Sequence, residues 1–230
     1  MSLSRPKAIL FDLDGTLVDT APDFYDVVNG LRKELGKPLL ADETIREQVS
    51  NGGAALTRLT FDHPDHAGRD LASAAQEFLD QRQQILDRYL QNIGLLSGYF
   101  PGFAEVIASL EQQNIRWGIV TNKPRLYTEA LLAKLAITGD VVVCPDDVTK
   151  SKPHPEPLLK AAADLGLQAT DCWYVGDHIR DIDAARAAGM LSVAATFGYI
   201  EAGDHPDNWQ ADRLIHQPLD LLSLLQASHG

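Results

Sequence analysis

Asp12 and Asp14 stand one residue apart, directly after the apolar run Ala8-Ile9-Leu10-Phe11 and just before Gly15. If that run is a strand, both carboxylates leave its C-terminal end while the glycine lets the chain bend away behind them. Acids in such a place can be no more than solvated turn residues. Asp12 can also attack phosphorus, splitting a hard hydrolysis into the formation and breakdown of an acyl phosphate. Asp14 then suits the proton work. Protonated, it donates to the leaving alkoxide; as the carboxylate it becomes, it activates water for the second step.

A second acidic strand end follows in Val175-Gly176-Asp177, with Asp181 a turn further on. Unit negative charges about 4 Å apart repel by roughly 4 kcal/mol at an effective dielectric near 20, so Asp12, Asp177 and a bound phosphate need a cation among them. A hard, oxygen-seeking ion fits: Mg2+ on Asp12, the Asp14 backbone carbonyl, Asp177 and a phosphate oxygen. Asp181 is expected behind that shell, orienting a metal-bound water or Lys152. Lys152, pinned by Pro153 and Pro155, supplies a fixed positive charge against phosphate and Asp12. The run Val120-Thr121-Asn122-Lys123 offers a hydroxyl and backbone N–H groups for phosphate oxygens, although a strand-end Thr also serves ordinary turns. His63 and His66 lie in a polar loop with no cysteine beside them, so no zinc site is expected.

The elements that must hold these residues read as an α/β, doubly wound parallel sheet. Short β-type runs at Ala8 to Phe11, Trp117 to Val120, Val141 to Cys144, Trp173 to Val175 and Leu191 to Ala195 alternate mostly with helical patterns. Phe103, Val106, Ile107 and Leu110 recur at helical spacing; Pro155 opens another helix, and Gly166 sits where its C-cap belongs. Ligands of such sheets bind at strand C-terminal ends, where the acids are. Residues 18–93 read as helix only, an inserted small helical domain in a catalytic core of 1–17 and 94–230. Thr20 is expected to cap its first helix, with Pro22 in the first turn and Gly36 at the end. Leu71, Ala75, Phe78, Leu79, Arg82, Ile85, Leu86 and Tyr89 make a long amphipathic helix. Ser50-Asn51-Gly52-Gly53 is either a stretch of exposed amides placed over an active site or a turn joining helices.

Composition narrows the partners. In 230 residues with a formal charge of -12 no basic cluster offsets repulsion from nucleic acid or an anionic membrane. No apolar stretch approaches about 20 residues and no signal peptide is seen. Cys144 and Cys172, at the edges of apolar runs, read as buried reduced thiols, in keeping with a cytoplasmic protein. A monomer is the default and a dimer remains open.

The set Asp12-Leu13-Asp14-Gly15-Thr16, Thr121-Asn122, Lys152-Pro153 and Gly176-Asp177 with Asp181 resembles the haloacid dehalogenase-like superfamily in its phosphatase branch, over essentially the whole chain. The resemblance implies a Rossmann-like core, Asp12 as nucleophile, Asp14 as acid/base, Mg2+ bridging Asp12, Asp177 and phosphate, catalytic roles for Thr121 and Lys152, and a helical cap that closes over a small phosphate ester. The second Asp is absent from the dehalogenases themselves, and no cap lysine of the phosphonate hydrolases is evident. Thr121-Asn122-Lys123-Pro124 and Asn51-Gly52-Gly53 resemble the phosphoglycolate phosphatase group, which implies substrate contacts by Asn122, Asn51 and Gly52. Cys144-Pro145-Asp146-Asp147-Val148, Phe197-Gly198-Tyr199-Ile200 and Asn208-Trp209-Gln210-Ala211-Asp212 resemble, more narrowly, the N-acetylmuramic acid 6-phosphate phosphatases of peptidoglycan recycling. His178 departs from the Ser, Thr, Asp or Asn of many relatives. The competing readings are a sugar phosphomutase with the same carboxylate pair, a receiver-like phospho-acceptor domain, which would be shorter and without a helical insert, and a catalytically dead binding protein.

Overall fold

The computed structural model describes residues 4–62 and 71–228. His63 and His66 lie outside the described residues, as does the side chain of Leu71. The chain divides into two compact units, Thr20–Ser97 and the remainder on either side of it.

The larger unit carries β1 (Ala8–Phe11), β2 (Val18–Asp19), β3 (Gly98–Tyr99), β4 (Arg116–Val120), β5 (Val141–Val143), β6 (Cys172–Gly176), β7 (Leu191–Ala195) and β8 (Arg213–Ile215). Six of them form one sheet in the order β5-β4-β1-β6-β7-β8, every pair parallel. Its middle strands are apolar without alternation because both faces are covered: all four residues of β1 and all five of β6 are buried. Ala8, Leu10 and Tyr174 pack with Leu158, Ala161, Ala184 and Ala185 of the helices α7 and α8 given below. On the other face Phe11 meets Phe103 edge-on, ring centroids 5.5 Å apart, worth about 1 kcal/mol beyond burial.

From β1 the chain steps outward through β4 to β5, then returns to the other side of β1 for β6, β7 and β8. The order reverses between β1 and β6, and in open α/β sheets the crevice beyond the strand ends at that reversal is where ligands bind. β8 and the short ribbon β2–β3 are elements that the sequence pattern does not announce. The ribbon, pairing Val18 with Tyr99 and Asp19 with Gly98, belongs to the sheet unit. The division accordingly falls at Asp19/Thr20 and Ser97/Gly98, whereas the helical pattern alone puts it at 17/18 and 93/94.

The smaller unit holds α1 (Ala21–Glu34), α2 (Asp42–Val49), α3 (Gly52–Phe61) and α4 (Leu71–Asn92). Phe24 and Tyr89 stack inside it, centroids 4.1 Å apart. Buried Asp23 accepts from the N–H groups of Gly94 and Leu96, both at 2.7 Å, tying the start of α1 to the chain beyond α4. Arg32, near the end of α1, donates to the carbonyls of Pro38, Leu59 and Thr60 and to Asp62 Oδ1. One expectation fails. Thr20 occupies the N-cap position of α1, yet its side chain makes no capping bond, because its backbone (φ -97, ψ -8) is helical rather than the extended form that aims the oxygen at the first turn. Ser50 and Asn51 make the turn joining α2 to α3, which opens at Gly52 with φ +73.

The sheet unit adds α5 (Phe103–Gln112), α6 (Arg125–Leu135), α7 (Glu156–Asp164), α8 (Ile179–Ala188) and α9 (Asp220–Ala227). No helix among the described residues is long and apolar enough to cross a membrane.

Candidate active site

Asp12 is the first residue after β1, and its N–H donates to Val175 O at 2.9 Å, extending the pairing with β6 by one step. The chain then doubles back: Leu17 N–H bonds Asp12 O and Val18 N–H bonds Leu13 O, a loop turned by Gly15 at φ +84. Oδ1 of Asp12 accepts from Leu13 N–H at 2.7 Å and lies 2.9 Å from Lys152 Nζ.

Lys152 is the hub. Its ammonium lies 2.9 Å from Asp12 Oδ1 and 2.8 Å from Asp181 Oδ1, and donates to Val120 O at 2.9 Å and Tyr174 Oη at 2.7 Å. Burial pulls its pKa down, but Asp12 and Asp181 outweigh that and raise it, so the charge is fixed. Asn122 holds the lysine from behind: its amide donates to Lys152 O at 2.9 Å and accepts from Lys152 N–H at 3.1 Å. The Asn122 side chain, expected on substrate, grips the backbone of Lys152.

Asp177 follows β6 directly. Its Oδ1 accepts from Thr16 Oγ1 at 2.7 Å and its Oδ2 from Tyr199 N–H at 2.8 Å. Asp12, Asp177 and Asp181 each offer a carboxylate oxygen within 4.8 Å of the others. Three carboxylates share one ammonium, and burial together with their mutual repulsion holds Asp12 and Asp177 above the usual carboxylate range. Burial, outweighing Lys152, pushes Asp12 up to about 6; burial, with Asp12 and Asp181, pushes Asp177 up to about 8. A set of hard oxygens short of positive charge is what a divalent cation such as Mg2+ fits. Asp181 has three attachments already, Lys152, the N–H of His178 at 3.1 Å and Tyr174 Oη at 3.4 Å.

Asp14 sits beside the cluster with its Oδ1 2.8 Å from Lys123 Nζ, the two side chains 16% and 8% exposed. Thr121 is buried; its N–H bonds Val143 O and its Oγ1 accepts from Lys123 N–H at 3.0 Å. His178 caps α8, its Nδ1 accepting from Arg180 N–H at 3.1 Å, and stacks on Trp209. The sheet unit thus gathers Asp12, Asp14, Thr121, Asn122, Lys152, Asp177 and Asp181, whereas Asn51 and Gly52 belong to the helical unit, at the turn before α3. Sequence reasoning assigns no role to Lys123, Thr16, Tyr174 or Tyr199. Lys123 and Thr16 stand inside motifs singled out above, but what each touches lies 109 and 161 residues away.

The chain matches the haloacid dehalogenase-like hydrolase family model over residues 9–195. It is 40% identical over 227 residues to an N-acetylmuramic acid 6-phosphate phosphatase of Pseudomonas aeruginosa, covering 98% of this chain and 97% of that one. It is 44% identical over 218 residues to a phosphoglycolate phosphatase of Xanthomonas campestris pv. campestris, covering 94% and 95%. Among solved structures, a predicted phosphoglycolate phosphatase from Haemophilus somnus superposes with a TM-score of 0.80 at 25% identity, over 95% of this chain and 97% of that one. The chain therefore belongs to the haloacid dehalogenase-like hydrolases, and with phosphatases related to it over nearly its whole length it is a phosphoric monoester hydrolase.

Proposed function

We propose that the enzyme is a Mg2+-dependent phosphatase that passes the phosphoryl group of N-acetylmuramic acid 6-phosphate to Asp12 and then to water. The observation that carries the chemistry is the buried cluster in which Lys152 bridges Asp12 and Asp181 while Asp177 stands within reach of the same centre. An Asp12 oxygen attacks phosphorus and the bond to the sugar oxygen breaks. Asp14 gives that oxygen its proton, then takes one from the water that attacks the aspartyl phosphate and frees Asp12. Lys152 holds Asp12 and a phosphate oxygen in line, Thr121 donates its hydroxyl to another, and Asn122 keeps Lys152 in place. Mg2+, held by Asp12, Asp177 and the Asp14 carbonyl, would neutralise the charge that builds on the phosphoryl oxygens. Asn51 and Gly52, in the helical unit, are proposed as further substrate contacts, as the resemblance to the phosphoglycolate phosphatase group implies.

The nearly full-length relation to the Pseudomonas enzyme supports the amino-sugar substrate. Phosphoglycolate is the second reading, favoured by the 44% identity to the Xanthomonas enzyme. With Cys144 and Cys172 both buried and unbridged, the enzyme is proposed to act in the reducing cytoplasm as a monomer. Phosphate release with Mg2+, measured side by side on the two esters, tests this: kcat/KM of at least about 10⁴ M⁻¹s⁻¹ on the sugar phosphate, and much less on phosphoglycolate, is expected. The reverse preference transfers the enzyme to phosphoglycolate; release from neither, or activity retained by Asp12→Asn, removes the proposal.

A further inference from the structure

The loop after β7, Phe197-Gly198-Tyr199, is the segment that closes on Asp177 from the side away from Thr16. Tyr199 N–H can reach Asp177 Oδ2 at 2.8 Å only because the chain runs hard against that carboxylate one residue earlier. A Cβ on Gly198 would lie 2.2 Å from Asp177 Cβ, 2.6 Å from its Oδ2 and 2.5 Å from Gly15 O, so no other residue fits without moving them. Gly15 is confined in the same way, its own missing Cβ 2.2 Å from Asp177 Oδ2. The loop is fastened at two further points. Tyr199 Oη donates to Asp19 Oδ1 of β2 at 2.8 Å, and Phe197 packs edge-on against Phe100 and Phe103, centroids 5.2 and 6.2 Å away.

Thr16 and Tyr199 each donate to a different Asp177 oxygen, which fixes the carboxylate plane and leaves each oxygen a lone pair for a further partner. We propose that this loop is the positioning element of Asp177: Gly198 by its missing side chain and Tyr199 by its N–H hold the carboxylate in the rotamer that binds the divalent cation, and the Tyr199 phenol on Asp19 keeps the loop seated. The inference rests on the reading of Asp177 as a cation ligand. Groups that orient a metal ligand typically change affinity 10- to 100-fold when disturbed.

Mn2+ serves as the probe, its free signal followed by electron paramagnetic resonance on the full chain without substrate, with circular dichroism confirming the fold. Gly198→Ala is expected to raise the Mn2+ Kd at least about 10-fold, and Tyr199→Phe, which keeps the N–H, about threefold. For Tyr199→Phe, half-saturating Mg2+ in phosphate release should rise in parallel while kcat at saturating Mg2+ stays within about twofold of wild type, a split that general loosening of the fold would not give. A wild-type Kd in folded Gly198→Ala overturns the proposal; if that variant does not fold, a wild-type Kd in Tyr199→Phe does so. Asp177→Asn separates the two levels. If it binds Mn2+ as wild type does, the cation reading itself falls, whereas if it loses binding while the loop variants keep it, only the role of the loop falls.

Discussion

Arg32 among the helices and Lys152 at the sheet are both 4% exposed, and these two buried cations are satisfied in different ways. Arg32 meets backbone carbonyls near the C-terminus of α3, together with the single carboxylate of Asp62. Carbonyls there carry the negative end of the helix dipole, so the guanidinium completes a structure and leaves no charge outstanding. Lys152 meets one carbonyl, the Tyr174 hydroxyl and two carboxylates, and a third carboxylate stands nearby, so the centre remains short of positive charge. A buried cation in balance marks architecture, and one that is outnumbered marks a place built to take up something more.

The widest separation between the two should appear in turnover. Asp12→Asn is expected to lower kcat by about four orders of magnitude or more, while Arg32→Met leaves kcat within about twofold at a temperature where it is folded. An Arg32→Met enzyme that is folded but inactive would break the distinction. Chelation comes next: excess EDTA should abolish phosphate release and added Mg2+ restore it. Mg2+ at about 100 times its Kd should also stabilise the wild type by about 2.7 kcal/mol in a melting experiment, with no such gain in Asp177→Asn.

In urea the order of the units reverses. Arg32→Met leaves several carbonyls and a carboxylate without their donor and should cost about 2 to 3 kcal/mol of folding free energy, a loss that added Mg2+ does not prevent. The pH dependence distinguishes them by sign. Burial raises Asp177 to about 8, far above an unfolded aspartate, so the folded protein holds the extra proton and stability falls as pH rises from about 4 to about 8. Arg32, with Lys37, lowers Asp62, so its contribution is present above the unfolded value and is lost as pH falls below it. Asp62 is 54% exposed, which keeps that term small. In EDTA, the melting temperature of Asp177→Asn relative to wild type should climb between pH 4 and 8, and that of Asp62→Asn should not.

The sequence is most legible where local pattern and burial agree. β1, β4, β5, β6 and β7 are apolar runs, so the fold class is read from the residues alone, and acids directly follow β1 and β6, which is why Asp12 and Asp177 stand out as the proposed site. β8 escapes because only Ile215 of its three residues is fully buried, and β2 and β3 because two-residue strands have no period. The supports of the site escape for a different reason. Lys123 on Asp14, Tyr199 on Asp177 and Asp19, and Asn122 on the Lys152 backbone are contacts between distant strand ends. Polar residues in loops carry no mark of which partner the sheet order will bring to them. Even His178, an irregularity beside Asp177 when only its neighbours in sequence are considered, proves to be a helix cap.

The place of β1 in the sheet bears on how the chain is made. It comes first among the strands yet pairs with β4, Ala8 against Arg116, and with β6, Ala8 against Cys172. A ribosome at roughly 5–20 residues per second therefore keeps this wholly apolar segment unpaired on its second side for some ten to thirty seconds, while the helices of residues 20–97 already have all their partners within reach. The strand that presents Asp12 is the one most in need of protection from other nascent chains, and the cluster around it assembles only near the end of synthesis.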